Sequence, residues 1–289
     1  MKCCSIISGS SGNCVYLETD KTRILVDAGE SGRKLQEGLK LAGIDPRSLH
    51  AIFVTHEHAD HMQGVGVLSR RFRLPVFANS GTWNAMARRV GRIGKDYRQS
   101  FKNYQTFRFR DLVVTAFSTH HDAADPVGYC FESGGEKVSV VTDTGVLDDR
   151  MMDIIQGSQI YYFESNHDLD MLLYGPYPPE LKKRIRSDLG HLSNDQAGDA
   201  LSDLLRGDQE TVILAHMSME NNEERICHST VVEILQQQGF DTENRQTIIV
   251  APRYLPSPLF STDASDPVSE RTDREPLPVS FRSSLIKEG

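Results

Sequence analysis

Residues 54–61, VTHEHADH, end an apolar run with His56, His58, Asp60 and His61. Imidazoles and a carboxylate at this density are metal-ligand chemistry. Alternate side chains of extended backbone point the same way, so His56 and His58 can converge on one ion while Asp60 and His61, in the following turn, reach a second. A lone histidine reads most simply as structural, but three with an aspartate between them at a strand end do not. The donor set suits Zn²⁺, Mn²⁺ or Fe²⁺ better than Ca²⁺ and does not choose among the three.

A loop of this kind needs a strand to hold it, and Ala51 to Thr55 reads as a short buried one. Upstream, Lys2 to Asp27 reads as strand, turn, strand, strand, with Gly9, Ser10, Ser11 and Gly12 as the turn, and residues 31–43 as a helix. Downstream, helices are expected over 62–72 and 81–90 around a strand at 75–78, and strands dominate from Thr106 to Asp143. Helices return near 148–156, 178–188, 194–205 and 223–236, interrupted by strands at 160–165, 211–216 and 247–251. Two successive halves of similar make-up, with helices outside the strands, predict an α/β sandwich. Six of the twelve prolines lie in the last 38 residues among Ser, Asp, Glu and Arg, so a domain over 1–252 and a disordered tail over 253–289 are expected. The stretch 278–285, PVSFRSSL, is left without an assignment.

With 38% hydrophobic and 25% charged residues the composition is that of a globular protein, which excludes collagen-like and low-complexity chains. No run approaches the roughly 20 apolar residues of a membrane span, and the start MKCCSIISGSSGN is too polar for a signal peptide, so a cytoplasmic protein with no membrane partner is expected. The five cysteines are an odd set without CxxC spacing, which speaks against a disulfide framework, and Cys3 and Cys4 read as core residues of a strand. Charge is uneven. Residues 69–110 hold eleven cationic side chains, Arg88, Arg89 and Arg92 among them, against Asp96 alone, while the whole chain carries −8. Such a segment can attract phosphates or can be a solvated face. The SGSSGN turn likewise can be a nest of backbone N–H groups for an anion, through Ser10, Ser11, Gly12 and Asn13, or a plain hairpin turn.

The HxHxDH pattern after an apolar strand resembles the signature of the metallo-β-lactamase superfamily, whose fold is a four-layer αββα sandwich. The resemblance implies that Asp27 in ILVDAG orients the metal loop from behind, that Asp143 in VVTDTG bridges two ions, and that His216 in LAHMS is the last ligand. THHDAADPVGY offers both His120 and His121; the family pattern favours His121 and leaves His120 behind the ligands or in the core. One ion then takes His56, His58 and His121, and the other Asp60, His61 and His216. FESNHD (163–168), GPYPPELKKRIRSDLGHLSN (175–194), AHMSMENN (215–222) and SGSSGN are similar to the YycJ/WalJ-like bacterial exonuclease subfamily, over residues 1 to about 252. That resemblance implies a phosphodiesterase using a hydroxide activated by two divalent ions, Mn²⁺ or Zn²⁺ with Fe²⁺ possible, acting 5′ to 3′ on double-stranded DNA in repair. It makes His191 the candidate general acid, Glu164 the carboxylate that holds it, and Asp60 an orienter of the nucleophile. His167 can approach the metals, touch a phosphate, or make a buried structural hydrogen bond. A ribonuclease, a hydrolase of small phosphodiesters, and a non-catalytic DNA-binding protein stabilised by metal are the competing readings; oligomeric state is not legible.

Overall fold

Period-two alternation along the first strands sets the layering. Cys3 faces one apolar layer and Cys4 the opposite one, and Val15 and Leu17 point away from Cys14 and Tyr16 in the same manner. The computed structural model describes residues 1–263. Its first half runs β1 (Lys2–Ile7), β2 (Cys14–Glu18), β3 (Arg23–Val26), α1 (Gly32–Leu41), β4 (Ala51–Phe53), α2 (Ala59–Met62), α3 (Val65–Phe72), β5 (Val76–Asn79), α4 (Ser80–Met86) and β6 (Arg98–Phe101). The second half runs β7 (Thr106–Phe109), β8 (Leu112–Ser118), β9 (Val127–Ser133), β10 (Glu136–Val141), α5 (Asp149–Ile155), β11 (Ile160–Glu164), α6 (Leu169–Tyr174), α7 (Pro179–Ile185), α8 (Asn194–Leu204), β12 (Thr211–Ala215), α9 (Glu224–Gln237), β13 (Thr247–Val250) and β14 (Phe260–Ser261).

Two seven-stranded sheets result, ordered β14-β1-β2-β3-β4-β5-β6 and β13-β12-β11-β10-β9-β8-β7. Their facing surfaces share one core, in which Val15, Val26 and Phe53 meet Val114, Tyr129, Val140 and Tyr162. Leu35, Leu39, Leu68 and Trp83 cover the outer face of the first sheet, and Met151, Leu201, Val231 and Leu235 that of the second. This is the αββα sandwich. β3 to β6 run parallel, as do β10 to β13, so their carboxyl ends gather along one edge.

Three expectations change. The helix expected over 81–90 stops at Met86, and α6 and β6 were not foreseen, the latter because an edge strand reading RQSF shows little apolar alternation. The domain does not end at 252: the Ser257 N–H donates to the Ser5 carbonyl while its hydroxyl accepts the Ser5 N–H, and β14 pairs antiparallel with Lys2 and Cys3 of β1, burying Phe260. Proline-rich composition hid a segment whose partner strand lies some 250 residues away. The stretch 278–285 lies outside the described residues.

Candidate metal centre

Every donor sits just past the carboxyl end of a strand: Asp27 after β3, the 56–61 cluster after β4, His121 after β8, Asp143 after β10, Glu164 closing β11 and His216 after β12. Asp27, Asp143 and His216 turn there with φ of 62°, 57° and 55°. Left-handed backbone is uncommon for residues with a side chain and clusters at functional sites. The turn after β3 is also tight against the metal loop, since a Cβ at Gly29 would lie 1.6 Å from the Asp60 carbonyl oxygen. Glycine is required there, and Ala28 N–H donates to the His61 carbonyl at 2.8 Å across the same junction.

The donor atoms of His56, His58 and His121 lie within 4.8 Å of one another, as do those of Asp60, His61 and His216, and Asp143 groups with His56 and His61. Both halves of the sequence reading are therefore brought together, with Asp143 between them. Its Oδ2 is 3.2 Å from His61 Nε2 and its Oδ1 3.6 Å from His121 Nε2. Of the adjacent pair, His121 turns inward, its Nδ1 donating to the Gly190 carbonyl at 3.2 Å, while His120 faces the rim and pairs with Asp148 at 2.8 Å. His120 touches no ligand, so the expectation that it backs the site is replaced by a tie to the start of α5.

Four of the five ligand imidazoles, those of His56, His61, His121 and His216, have the nitrogen remote from the cluster engaged. His61 Nδ1 meets Asp27 Oδ2 at 2.8 Å, His56 Nδ1 meets Thr55 Oγ1 at 3.0 Å, and His216 Nδ1 meets Glu164 Oε1 at 2.8 Å. The inward atoms His56 Nε2, His216 Nε2 and Asp143 Oδ2 are buried without a hydrogen-bond partner. Buried polar atoms are rarely left so, and a shell of oriented imidazoles that leaves these atoms converging on one space fits divalent cations. The charges say the same. Burial alone would raise the carboxyls of Asp60 and Asp143, yet the His61 and His216 imidazoles hold both well below the usual range. Burial would likewise lower His216, but Asp143, Asp60 and Glu164 push it up to about 10, and His61 is raised well above its ordinary value by Asp143, Asp60 and Asp27 against the same burial. Protonated imidazoles here carry the positive charge that cations would bring.

His191 stands on the rim with its Nδ1 donating to Glu164 Oε1 at 2.8 Å and lying 3.9 Å from Asp143 Oδ1. One oxygen of the fully buried Glu164 thus holds both His191 and His216, while its Oε2 accepts the Thr144 N–H at 2.9 Å. Burial opposes that charge, but the two imidazoles bring its pKa down to about 2. His167 is buried behind this pair, its carbonyl accepting from Asn194, with burial lowering its pKa to about 4; it hydrogen-bonds no ligand. Asn166, whose role the motif left open, ties the two histidine loops: its N–H donates to the Leu192 carbonyl and its Nδ2 to the His216 carbonyl at 2.8 Å.

The SGSSGN turn is a brace. Gly12 N–H donates to Gly9, Asn13 N–H to the Asp60 carbonyl, and the Asn13 amide bonds both polar groups of Gly9 while lying 3.1 Å from His61 Nε2. Gly12 and Asn13 are buried, which removes them from an exposed anion nest and leaves Ser10 and Ser11 as its open part. The basic segment is likewise not one track. Arg88, Arg89 and Arg92 are exposed after α4, and Arg89 reaches the Glu57 carbonyl, between two ligand histidines, at 3.4 Å. Arg70 bonds the Val90 carbonyl, Arg98 lies over Trp83, and Arg71 and Arg73 end α3, roughly 12 Å along the helix from the metal loop. Sequence reasoning missed Thr55, whose N–H donates to Asp27 Oδ1 and whose hydroxyl donates to Asp27 Oδ2, at 2.8 Å each, and Ser8, whose hydroxyl accepts the His216 N–H at 3.0 Å. Both lie inside the motifs, but nothing local distinguishes a bracing hydroxyl from a solvated one.

Residues 22–217 match the β-lactamase superfamily domain family. The chain belongs to the metallo-β-lactamase superfamily. Within that superfamily it is 41% identical over 235 residues to exodeoxyribonuclease YycJ of Bacillus anthracis, covering 81% of this chain and 89% of that protein. It is also 41% identical over 234 residues to exodeoxyribonuclease WalJ of Streptococcus pneumoniae, covering 80% and 87%. This places it in the YycJ/WalJ group of the superfamily. The metallo-β-lactamase fold protein YhfI of Bacillus subtilis matches in structure with a TM-score of 0.66 at 15% identity, covering 89% of this chain and 98% of that one, a likeness of fold.

Proposed function

We propose that the chain is a metal-dependent phosphodiesterase that digests double-stranded DNA from its 5′ ends. The observation that carries the reading is a complete donor cluster with His191 held on its rim by Glu164, in a chain that shares 41% identity with proteins named exodeoxyribonucleases. His56, His58 and His121 would hold one ion and Asp60, His61 and His216 a second, with Asp143 between them. Mn²⁺ or Zn²⁺, with Fe²⁺ as a third choice, supplies Lewis-acid stabilisation of phosphoryl charge and a water acidic enough to ionise near neutral pH.

The protein's own side chains do the rest. Glu164 engages His191 Nδ1 and so fixes its tautomer, leaving Nε2 to protonate the departing sugar oxygen. Asp60, partly open to solvent, orients the attacking oxygen. Arg88, Arg89 and Arg92 attract the polyanion beside the Glu57 lip, with Ser10 and Ser11 offering hydroxyls to a phosphate on the other loop. Affinity gained in this way falls with salt and is largely indifferent to sequence. A cytoplasmic site of action belongs to this reading; among the described residues no helix is long and apolar enough to cross a membrane.

The test is digestion of end-labelled, 5′-phosphorylated duplex DNA with added Mn²⁺, beside an Asp143→Ala control. Stepwise loss of 5′ nucleotides, abolished in the control, is the expected result. Cleavage of RNA or of a small phosphodiester alone would replace DNA as substrate, and binding without any cleavage would overturn the enzymatic reading.

A further inference from the structure

Arg253 and Tyr254 lie beyond the point at which composition places a tail, yet they build the wall beside His216. The Arg253 guanidinium donates from Nη2 to the Met217 carbonyl at 2.8 Å. Its Nη1 is buried under the SGSSGN turn, where a Cβ on Gly9 would come within 2.4 Å of it. Ser8 completes the junction, its N–H reaching the Arg253 carbonyl at 3.4 Å while its hydroxyl accepts from His216. Three loops, 8–12, 217–222 and 253–254, are thereby fixed to the strand end that carries a metal-ligand candidate.

Two large side chains stand open on this fixed wall. Tyr254 is 42% exposed and Met219 56% exposed, and the Tyr254 hydroxyl lies 3.7 Å from the Met219 sulfur. Scattered exposed apolar residues need no explanation, but a touching aromatic and thioether pair, with Met219 three positions past His216 and Tyr254 next to the partly buried Arg253, is a prepared surface. A phosphodiester placed at the donor cluster must carry its nucleoside outward past the loops that follow the ligands, and 217–222 is one of them. An aromatic ring with a soft sulfur at its edge offers sequence-tolerant stacking to a nucleobase.

We propose that Tyr254 and Met219 form a platform that receives the terminal nucleobase of the nucleic-acid substrate, with Arg253 positioning it relative to His216. The proposal rests on the phosphodiesterase reading above and adds the subsite that recognises the end nucleotide.

The experiment compares the Mn²⁺-loaded native protein with Tyr254→Ala, Tyr254→Phe and Met219→Ala on a 5′-phosphorylated duplex and on the same duplex with an abasic terminal nucleotide. Tyr254→Ala should raise KM on the intact end roughly tenfold with kcat little changed, as loss of one base stack would. Tyr254→Phe, which keeps the ring, should restore the native KM, and Met219→Ala should show a smaller rise. On the abasic end the native KM should already be raised, and Tyr254→Ala should add nothing. An unchanged KM in Tyr254→Ala, or an equal rise on intact and abasic ends, overturns the platform while leaving the phosphodiesterase intact. A native protein that cleaves no nucleic acid overturns both.

Discussion

Replacing Glu164 with glutamine keeps the shape of the side chain and removes its charge at a point where two histidine loops meet. Glu164 Oε1 accepts from His191 Nδ1 and His216 Nδ1, both at 2.8 Å, and Oε2 from the Thr144 N–H. The Leu192 N–H also reaches Oε2 at 3.4 Å, so a glutamine has one oxygen to offer four donors and must turn its NH₂ against at least one of them. Hydrogen bonds to a charged group contribute about 1.5–3 kcal/mol each, and removing one partner of a buried charged set costs about 3–5 kcal/mol, so a fall in Tm of roughly 10 °C is expected for the metal-free protein. The pH profile should change too. With a native pKa of about 2 against an ordinary 4.5, the Glu164 carboxylate stabilises the fold above pH 4.5, and this contribution is lost as pH falls toward 2. Glu164→Gln should lack that acid-dependent loss. In activity assays at saturating Mn²⁺ the variant should lose about 10²–10⁴ in kcat on DNA, because His191 is no longer held as a donor, and bind metal about 10–100-fold more weakly through His216. A Glu164→Gln/His191→Ala double variant should lose little more kcat than His191→Ala alone, since one residue acts through the other. Multiplying losses, or a Glu164→Gln variant within twofold of native in both kcat and metal affinity, would refute the reasoning.

Changing Arg88, Arg89 and Arg92 together to alanine should raise KM for duplex DNA and flatten its dependence on salt, leaving kcat near native; an unchanged salt slope, measured between about 50 and 200 mM, would remove this arm from the substrate path. Metal loading should expel about two protons near pH 7, because His61 and His216 hold theirs there, and affinity should rise with pH toward the His216 value of about 10. Calorimetric titration in buffers of different ionisation enthalpy reads this directly, and heats independent of buffer would contradict it. Ending the chain at residue 252 removes the Ser257 hydrogen bonds to Ser5 and the buried Phe260 ring, so thermal denaturation should show a loss of about 3–5 kcal/mol, whereas an unaltered Tm would return the segment to tail status.

What the residue order determined alone is what local chemistry and periodicity can carry. Three histidines and an aspartate at a strand end specify a metal loop wherever the chain goes, and the opposite faces of Cys3 and Cys4 follow from the pleat. An α/β sandwich follows from two runs of strands with helices outside, and the family resemblance adds its αββα layering. Four matters needed the tertiary structure, because each depends on partners far apart in sequence. The family pattern favours His121 over its neighbour, but its inward turn rests on a carbonyl at Gly190, 69 residues on, that only the folded loop presents. Glu164 serves both His191 and His216 because β11 and β12 are adjacent, a pairing invisible to either motif. The basic run was divided because α3 carries Arg71 and Arg73 to its far end while the chain after α4 returns Arg88, Arg89 and Arg92 to the lip. The segment at 253–261 belongs to the domain because β1 leaves an edge for it, and an edge strand's need for a partner is a property of the sheet, written nowhere in the proline-rich residues that meet it.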